Sequence, residues 1–436
     1  MPSRIVILGG GFGGLYAALA FEKALRRRDD LEVVLVNEDN FFLFTPMLHE
    51  VAASDLDVTT IVNPIRKLVS RVRFFCGTCR EVDLERSTVR LVHGDDGHDH
   101  EVAFDHLICA LGSVTNFHGV PGLERHALTM KSLGDAIAVR NRVIASLEEA
   151  DFECCASQRS RLLTFVVAGG GFAGVETAAS INDFLHEALA FYPNLTRAEC
   201  RVELVHSGDV ILPELRGSLG EYAQRKLGER GVTIRTGVRV AGYDEGRTVR
   251  LSNGESFEAG TLIWTAGTAA HPLCSSLPCA RERGRLKVDG SLRVEGTTNV
   301  WALGDCALVP NVARGGFHPP TAQHAIREGT HVARNVLAAL DGRAPTPFRF
   351  RTIGQLASLG RRTGVANILG VNFSGFIAWW MWRTIYLAKL PRFEKKVRVA
   401  LDWTLDVLFS KDLVQLRAAT RVAPPSEAVR ILAEST

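Results

Sequence analysis

The sequence predicts an α/β fold of two similar domains, the second inserted into the first, followed by a C-terminal region of different character. Two glycine motifs with the same spacing indicate the duplication, GGGFGG at 9–14 and GGGFAG at 169–174. Each motif follows an apolar, β-branched run and precedes an alanine-rich stretch, which is the order strand, turn, helix. A later short apolar run, ALGDCA at 302–307, is expected to return to the first sheet.

Both motifs fit the spacing G-x-G-x-x-G. The glycines are Gly9, Gly11 and Gly14 in the first copy and Gly169, Gly171 and Gly174 in the second. In such a motif the first glycine makes a tight turn, the second lets the backbone approach a pyrophosphate, and the third lets the helix pack on the strand. The N-terminus of the helix then faces the phosphates. Two copies predict two Rossmann-like dinucleotide-binding domains and hence two dinucleotides.

The composition is that of a globular protein with room for two or three domains. The chain has 436 residues, 46% of them hydrophobic, and a net charge of +3, which is too small to indicate nucleic-acid binding. Its nine cysteines have no regular spacing, which favours a reducing compartment. No metal site is predicted, and because the chain starts directly in the first strand, no signal or transit peptide is expected.

Changes in pattern along the chain divide it into four stretches. Residues 1–122 are predicted to form the first part of the first dinucleotide-binding domain and 286–345 its second part. The inserted domain is predicted at 123–285, with its core at 161–280. Residues 346–436 are predicted to form a separate region that associates with a membrane.

That C-terminal region contains an apolar stretch that is too interrupted to span a bilayer. Residues 373–390 read FSGFIAWWMWRTIYLAKL, in which Arg383 and Lys389 break the apolar run and aromatic residues give it an interfacial character. The basic segment that follows carries apolar residues at helical spacing, namely Val397, Leu401, Leu405 and Leu408. We expect an amphipathic helical hairpin that lies on an anionic bilayer surface, and the same pattern also fits a dimer or core-packing helix.

Taken together, the motifs resemble those of the type II NADH dehydrogenases, single-subunit NADH:quinone oxidoreductases within the two-dinucleotide-binding flavoprotein (pyridine nucleotide-disulfide oxidoreductase) superfamily. The resemblance covers nearly the whole chain. Besides the glycine motifs, it rests on NFFLFTPMLHEVA at 40–52, ALGS at 110–113, TAG at 265–267, ALGDCA at 302–307, PPTAQHAIREG at 319–329 and GFIAWWMWRTIYLAKLP at 375–391. It implies a glutathione-reductase-like fold with FAD in the first domain and NADH or NADPH in the second.

By this resemblance the FAD site is spread over several separate segments. The implied residues are Gly9, Gly11, Phe12, Gly13, Gly14, Asn37, Glu38, Thr45, Pro46, Cys79, Ala110, Leu111, Gly112, Gly304, Asp305, Ala322 and Gln323. Asp305 is expected to bind the ribitol and phosphate region, with the capping of a helix as the alternative. Thr45 and Pro46 are expected beside the flavin ring, and Ala322 and Gln323 at its pyrimidine end.

The resemblance also implies a second nucleotide site. Its residues are Gly169, Gly171, Phe172, Ala173, Gly174, Glu176, His206, Ser207, Ala266 and Gly267. Glu176 matches a glutamate that in the family lies close to flavin and nicotinamide. Burial there would raise its pKa and suit it to relay a proton, whereas the alternative is stabilisation of the first turn of its helix.

Two strand ends depart from the family pattern. Asn37 stands where an acidic residue usually binds the adenosine ribose, and its amide can still hydrogen-bond a hydroxyl. His206 and Ser207 stand where NADH-selective members often have a glutamate, which repels the 2′-phosphate of NADPH. Strict NADH selectivity is therefore not indicated, and His206 also fits a residue that merely ends a strand at the surface.

The helix AQHAIREG carries the predicted quinone contacts. Gln323 and Arg327 share a helical face, and Arg327 stands where many family members have a second glutamine. If this face lines a quinone tunnel, Arg327 would stabilise the developing negative charge on a quinone oxygen, and a salt bridge or a solvated arginine is the alternative. Glu176, Gln323 and Arg327 are the predicted catalytic residues.

The predicted function is FAD-dependent transfer of hydride from NAD(P)H and of two electrons to a membrane quinone, without proton pumping. The alternatives are a soluble reductase of a small redox protein and a redox-sensing flavoprotein that resembles apoptosis-inducing flavoproteins. Disulfide chemistry is disfavoured because the segment FFLFTPMLHEVAAS, where disulfide reductases carry their cysteine pair, has no cysteine. Membrane quinone and the bilayer surface are the expected partners at the cytoplasmic face of a bacterial membrane, and a homodimer is left open.

Overall fold

The structure, a computed structural model, describes residues 2–94, 97–215 and 217–416. Its first large sheet consists of Ser3–Leu8, Leu31–Asn37, Arg73–Cys76, His106–Cys109 and Val300–Ala302. All neighbouring strands are parallel, and the strand that begins at Val300 lies at one edge, beside His106–Cys109. The chain therefore returns to the first sheet after the second domain, as the sequence predicts.

The second large sheet belongs to the inserted domain. It consists of Leu128–Thr129, Thr164–Ala168, Arg201–Val205, Val232–Arg235 and Thr261–Trp264. These strands are also parallel throughout. The central strand Thr164–Ala168 is buried along its whole length, which is typical of a parallel sheet covered by helices on both faces. The predicted fold class, α/β with two Rossmann-like units, is confirmed.

Smaller sheets complete the architecture. Two of them are pairs of strands, Phe41–Leu43 with Val62–Pro64 and Ser113–Thr115 with Thr268–Ala270. The other four have three strands each. They are Thr78–Asp83, Thr88–His93 and His98–Ala103; Val240–Tyr243, Thr248–Leu251 and Ser256–Glu258; Arg281–Glu282, Arg285–Lys287 and Ala307–Leu308; and Gly354–Ser358, Gly364–Ile368 and Val371–Ser374. Both pairs are antiparallel, and the pair Ser113–Thr115 with Thr268–Ala270 joins the two nucleotide-binding domains.

The described residues include the following α-helices: α1 (Phe12–Ala24), α2 (Leu48–Ala52), α3 (Leu123–His126), α4 (Leu133–Phe152), α5 (Ala156–Leu162), α6 (Phe172–Ala188), α7 (Ser218–Glu229), α8 (Leu273–Ser276), α9 (Ala322–Leu340), α10 (Gly375–Lys389) and α11 (Phe393–Leu408). Helices α1 and α6 follow the two glycine motifs directly. Their N-termini therefore lie at the carboxyl ends of the parallel strands, where open α/β sheets bind ligands.

Close backbone approach explains the first and third glycine of each motif. Gly9 has φ +101° and Gly169 has φ +119°, a region that side chains disfavour. A Cβ at Gly14 would lie 1.8 Å from the Gly9 carbonyl oxygen, and one at Gly174 would lie 1.7 Å from that of Gly169. Only glycine lets each helix start this close to its strand.

The C-terminal region has a three-stranded sheet followed by the predicted helical hairpin of α10 and α11. None of the helices in the described part of the chain has the length and apolar character that crossing a bilayer requires. The expectation that its tryptophans and lysines lie at a lipid surface is wrong for Trp382, Trp403 and Lys395, which are 1%, 6% and 5% exposed. Lys395 donates to the Thr59 carbonyl at 2.6 Å and Trp403 Nε1 donates to Glu50 Oε2 at 3.3 Å, which attaches the hairpin to the first domain. Trp382 Nε1 donates instead to Glu176 of the inserted domain.

The two parallel sheets agree with the predicted order of the domains, whereas the exact limits at 122, 285 and 345 stay predictions. Residues 417–436 of the predicted C-terminal region lie outside the described residues.

Helix α9 crosses α1 at a glycine, which provides a test of this packing. A Cβ at Gly329 would lie 2.1 Å from the Gly13 carbonyl oxygen, so Gly329→Ala should separate the helices and reduce the free energy of unfolding by about 1–3 kcal/mol. Thermal unfolding of the purified protein measures this.

Gly228→Ala is the matched control, because a Cβ at Gly228 in α7 would meet nothing within 4 Å. There alanine should be neutral or stabilising by up to about 1 kcal/mol. Equal stability of the two variants would contradict the close crossing of α1 and α9.

Candidate active site

The loop between the first strand and α1 forms one wall of a cavity of 390 Å³. Other walls come from the strand ends at Asn37 and Ala110, the turn at Gly304 and the start of α9 at Ala322. A Cβ at Gly11 would meet nothing within 4 Å, so the backbone is open to a ligand at this point. The first-turn N–H groups of α1 offer donors for phosphate. These residues fit the pyrophosphate and ribitol of FAD.

The ends of the second strands hold both glycine loops in the same way. Asn37 Oδ1 accepts a hydrogen bond from the Gly10 N–H at 2.6 Å. In the second domain, His206 Nδ1 accepts one from the Gly170 N–H at 3.2 Å. The side-chain atoms predicted to meet ribose hydroxyls are therefore engaged with the protein backbone, and direct ribose contacts stay a prediction.

Asp305 forms a polar chain across the wall of the first cavity. Its Oδ2 accepts a hydrogen bond from Ser113 Oγ at 2.7 Å, and Lys131 Nζ donates to the same Ser113 Oγ at 2.7 Å. Lys131 Nζ also lies 4.0 Å from Asp305 Oδ2. These contacts give no support to the alternative of a helix cap for Asp305, and Lys131 adds a positive charge at the cavity.

Glu328 fixes the turn that presents Asp305. Its Oε2 accepts a hydrogen bond from the Gly304 N–H at 2.8 Å, and the residue is 2% exposed. Burial raises the pKa of Glu328 to about 7, although the bond to Gly304 opposes the rise. Helix α9 therefore positions the turn Leu303–Asp305 through a buried carboxyl group.

A middle cavity of 320 Å³ lies between the two domains and the C-terminal helices. Its lining residues include Thr45, Pro46, Leu48, His49, Lys131, Phe172, Ala173, Glu176, Trp264, Gly267 and Tyr386. It shares Thr45 and Lys131 with the first cavity, and Trp264 and Gly267 with a third cavity at the second glycine motif. The three cavities are thus neighbours in a row, as transfer between two dinucleotides requires.

Glu176 is the buried acid of the middle cavity. Its Oε1 accepts hydrogen bonds from the Ser358 N–H at 3.0 Å and from Trp382 Nε1–H at 2.9 Å. The residue is 7% exposed, and burial raises its pKa to about 8 while the two hydrogen bonds oppose the rise. Near pH 7 the carboxyl group is therefore mostly protonated, and it exchanges its proton close to that pH.

His49 lies on the other side of Glu176. Its Nδ1 is 2.8 Å from Ser180 Oγ, and its Nε2 is 3.9 Å from Glu176 Oε1. Burial lowers the pKa of His49 to about 3, so the imidazole is neutral at pH 7. The pair of His49 and Glu176 is consequently two neutral polar groups rather than an ion pair.

Behind this pair lies a small cavity of 30 Å³ lined by charged residues. Lys411 Nζ contacts Asp55 Oδ1 at 2.6 Å, and only 4% of the Lys411 side chain is exposed. Trp403 Nε1 donates to Glu50 Oε2 at 3.3 Å, and burial raises the pKa of Glu50 to about 8. These contacts attach the end of the described chain to α2 and to the turn that follows it.

The second glycine motif lines a cavity of 400 Å³. The loop Gly169–Gly171 forms one wall, and His206 and Ser207 form the wall at the end of the second strand. Ala266 and Gly267 close it from the neighbouring strand. This is the arrangement of a Rossmann dinucleotide site.

Most predicted cofactor residues line the three cavities. The first cavity is lined by Gly9, Gly11, Phe12, Gly13, Asn37, Thr45, Ala110, Leu111, Gly112, Gly304, Asp305 and Ala322. The middle cavity includes Pro46, Phe172, Ala173 and Glu176, and the third includes Gly169, Gly171, His206, Ser207, Ala266 and Gly267. The predicted residues outside these linings are Gly14, Glu38, Cys79, Gly174, Gln323 and Arg327. Their ligand roles stay predictions.

Gln323 and Arg327 contact the C-terminal region. Gln323 Nε2 donates to the Gly354 carbonyl at 3.0 Å, and its Oε1 accepts from the Ile353 N–H at 3.2 Å. Arg327 donates to the Gln323 carbonyl at 2.8 Å, and its guanidinium carbon lies 4.1 Å from the centre of the Phe350 ring. Both ends of the Gln323 amide are thus occupied by backbone groups, and quinone contact by this helix stays a prediction.

Sequence reasoning missed several polar residues of the site. His49 and Glu328 lie inside motifs that the sequence had already singled out, and their burial was the missing information. Lys131 and Ser113 come from separate segments that the fold brings to Asp305, so no local pattern predicts that they meet. Trp382 was assigned to a lipid surface, although its indole reaches Glu176.

Comparisons with known proteins agree with this architecture. The family model described as pyridine nucleotide-disulphide oxidoreductase matches residues 3–329, and the NDH2 C-terminal domain matches residues 353–412. The chain is 32% identical to the type II NADH:quinone oxidoreductase Ndh of Mycobacterium tuberculosis, over 94% of this chain and 89% of that protein. It is also 32% identical to the demethylphylloquinone reductase NdbB of Synechocystis, over 92% and 95%.

The fold is that of NDH2 from Plasmodium falciparum, whose structure was solved in complex with NADH. That likeness has a TM-score of 0.88 at 19% identity and covers 95% of this chain and 100% of that one. The family predicted from the motifs is confirmed: the chain belongs to the pyridine nucleotide-disulphide oxidoreductase family and, within it, to the type II NADH:quinone oxidoreductases.

Proposed function

We propose that the chain is an FAD-dependent NADH:quinone oxidoreductase that passes two electrons from NADH to a membrane quinone without pumping protons. One observation carries the proposal: the middle cavity, between the two nucleotide cavities, is lined by Tyr386 of α10, the helix that also presents apolar side chains to solvent. A single element therefore connects the redox site to a surface suited to lipid. A soluble reductase would have no use for such an element.

The bound FAD supplies the redox chemistry, accepting hydride and releasing two electrons. The contribution of the protein is to position the two nucleotides next to each other. The two glycine loops would hold their nucleotides at neighbouring cavities, and Thr45 and Pro46 line the middle cavity together with Phe172 and Ala173. Lys131 lies in the wall shared by the first and middle cavities, where its positive charge would favour a reduced, anionic cofactor.

Glu176 holds a proton beside this site. Quinone reduction consumes protons, and a carboxyl group whose pKa is raised to about 8 can supply one near neutral pH. Its Oε1 is already occupied by two donors, Ser358 N–H and Trp382 Nε1–H. That arrangement leaves Oε2 as the oxygen that carries and exchanges the proton.

Exposed apolar side chains on α10 and α11 provide the route for the quinone. They include Phe376, Ile377, Trp380, Val397, Leu401, Leu405 and Leu408, all at least 42% exposed. We call these residues the apolar face of the hairpin. Burying them in the interfacial region of a bilayer is favourable, and the basic residues nearby favour anionic lipid. The hairpin would then bring the middle cavity to the membrane in which a long-tailed quinone dissolves.

The side of the membrane follows from the substrate. The NADH cavity must open to the compartment that contains NADH, which in a bacterium is the cytoplasm. We therefore propose peripheral attachment at the cytoplasmic face of the cell membrane. A homodimer stays a prediction.

The first test weakens the apolar face without touching the core. Leu401 and Leu405 are 56% and 50% exposed, so the double variant Leu401→Ser, Leu405→Ser should fold normally. Its affinity for anionic liposomes should fall about tenfold, because two apolar side chains no longer enter the interface. Liposome co-sedimentation measures the change, and turnover with a short-chain, water-soluble quinone should stay the same.

Phe152→Ser is the matched control, since Phe152 is 85% exposed but lies at the end of α4, outside the hairpin. Its liposome affinity should match that of the wild type. Loss of binding in both variants, or in neither, would contradict attachment through the apolar face. Deletion of 373–436 is a poorer test because it also removes the buried Trp382 and Trp403.

The second test replaces Glu176 by glutamine. The amide keeps an oxygen acceptor for Ser358 and Trp382 but cannot release a proton, so quinone turnover should fall by about 100-fold while FAD stays bound. In the wild type, turnover should decline as the pH rises through the pKa of about 8. That decline should be absent from the variant, and unchanged turnover across the pH range would leave Glu176 a structural role only.

The same variant has a predicted effect on stability. The pKa of Glu176 is raised from 4.5 to about 8 on folding, so between these values the folded state binds more protons than the unfolded state. Stability contributed by the protonated group is therefore lost as the pH rises through this window. In thermal unfolding, wild type should lose more stability than Glu176→Gln between pH 5 and pH 8.

A further inference from the structure

The third cavity lacks a carboxylate at the position that normally selects NADH. In Rossmann sites an acidic residue at the end of the second strand bonds the ribose hydroxyls and repels a 2′-phosphate. Here the strand Arg201–Val205 is followed by His206 and Ser207. Neither side chain carries a negative charge at pH 7.

The His206 ring structures the loop around it. Its Nδ1 accepts from the Gly170 N–H at 3.2 Å, and it also hydrogen-bonds the Val210 backbone. Burial lowers the pKa of His206, so the ring is predominantly neutral at pH 7. The residue therefore occupies the place of the usual acid without reproducing its charge.

Arg239 comes to the same place from the next connection. The Val238 N–H donates to the His206 carbonyl at 3.2 Å, and the Gly237 N–H donates to the Gly208 carbonyl at 3.0 Å. These bonds fix the segment before Arg239 against the loop that contains Ser207. Both Arg239 and Ser207 are exposed and line the cavity of 400 Å³.

The guanidinium of Arg239 is available to a ligand. Over the described part of the chain it forms no ion pair, whereas the neighbouring Arg235 contacts Glu203 at 2.6 Å and Glu255 at 2.8 Å. The one carboxylate among the described lining residues is that of Glu214. It lies 3.8 Å from where a Cβ of Gly171 would stand, on the side of the pyrophosphate, which NADH and NADPH share.

We propose that this cavity accepts NADPH as well as NADH, with the 2′-phosphate held by the Arg239 guanidinium and the Ser207 hydroxyl. Arginine binds phosphate through two parallel N–H groups, and the serine hydroxyl adds a third donor. Hydride then leaves NADPH as it leaves NADH, because the nicotinamide end is the same. The inference rests on the proposed function, for which it adds a second reductant.

The test measures binding and turnover separately. Calorimetric titration of the oxidised, FAD-loaded protein with NAD⁺ and NADP⁺ gives affinities that do not depend on activity, and quinone reduction with NADH and NADPH gives kcat/KM. In the wild type both dinucleotides should bind and both reductants should react. In Arg239→Gln the affinity for NADP⁺ and the kcat/KM for NADPH should fall at least about tenfold, and the NAD⁺ and NADH values by less than about twofold.

Three further variants give this comparison its controls. Ser207→Glu places a negative charge next to the position of the usual acid and should abolish NADP⁺ binding while NAD⁺ still binds. Glu214→Gln removes a charge near the shared pyrophosphate and should change the affinities for NAD⁺ and NADP⁺ by the same factor. Arg239→Lys keeps the charge and should recover part of the NADP⁺ affinity lost in Arg239→Gln.

Two results would overturn the inference. One is a wild-type protein that reduces quinone with NADH but neither binds NADP⁺ nor reacts with NADPH, and this would leave the proposed function intact. The other is an equal loss for both dinucleotides in Arg239→Gln, because it would place Arg239 at the adenine. Binding of NADP⁺ that depends on Arg239 in a protein that reduces no quinone would support the cavity assignment and contradict the proposed function instead.

Discussion

The hydrogen bonds to Glu176 Oε1 are the contacts on which the arrangement of the site depends. Glu176 belongs to the helix of the second glycine motif, Ser358 to the sheet of the C-terminal region, and Trp382 to α10. One buried carboxyl group thus joins the nucleotide-binding domain to the helical hairpin. A buried acceptor that lost these donors would be costly, so the hairpin cannot shift without disturbing the middle cavity.

The same burial gives the group its chemistry. Removal from water disfavours the carboxylate and raises the pKa of Glu176, and the neutral His49 beside it supplies no compensating charge. The acid therefore holds a proton next to the place where hydride and electrons are exchanged. The attachment of the hairpin and the supply of a proton therefore both follow from the burial of Glu176.

Glycine spacing predicted the largest features of the fold because it encodes backbone geometry directly. The contacts of Gly14 with Gly9 and of Gly174 with Gly169 need no partner from elsewhere in the chain. The return of Val300–Ala302 to the first sheet was also predictable, because its motif ends like a strand of that domain.

Contacts between side chains that are far apart in the sequence were not predictable. Trp382 and Lys395 looked like interfacial residues, since local pattern cannot distinguish a surface covered by lipid from one covered by the rest of the protein. Asn37 and His206 were expected at strand ends as ribose contacts, but the sequence could not show that their polar atoms bond the backbone of the glycine loops. Lys131 meets Ser113 and Asp305 only after folding.

The central claim, that electrons pass from NADH through the bound flavin to a membrane quinone, is tested most directly by anaerobic flavin absorbance on the liposome-bound protein. NADH should bleach the flavin band, and subsequent addition of a ubiquinone or menaquinone analogue should restore it rapidly and completely. A flavin that NADH bleaches but that neither quinone reoxidises would contradict the claim and indicate a protein acceptor or a redox sensor.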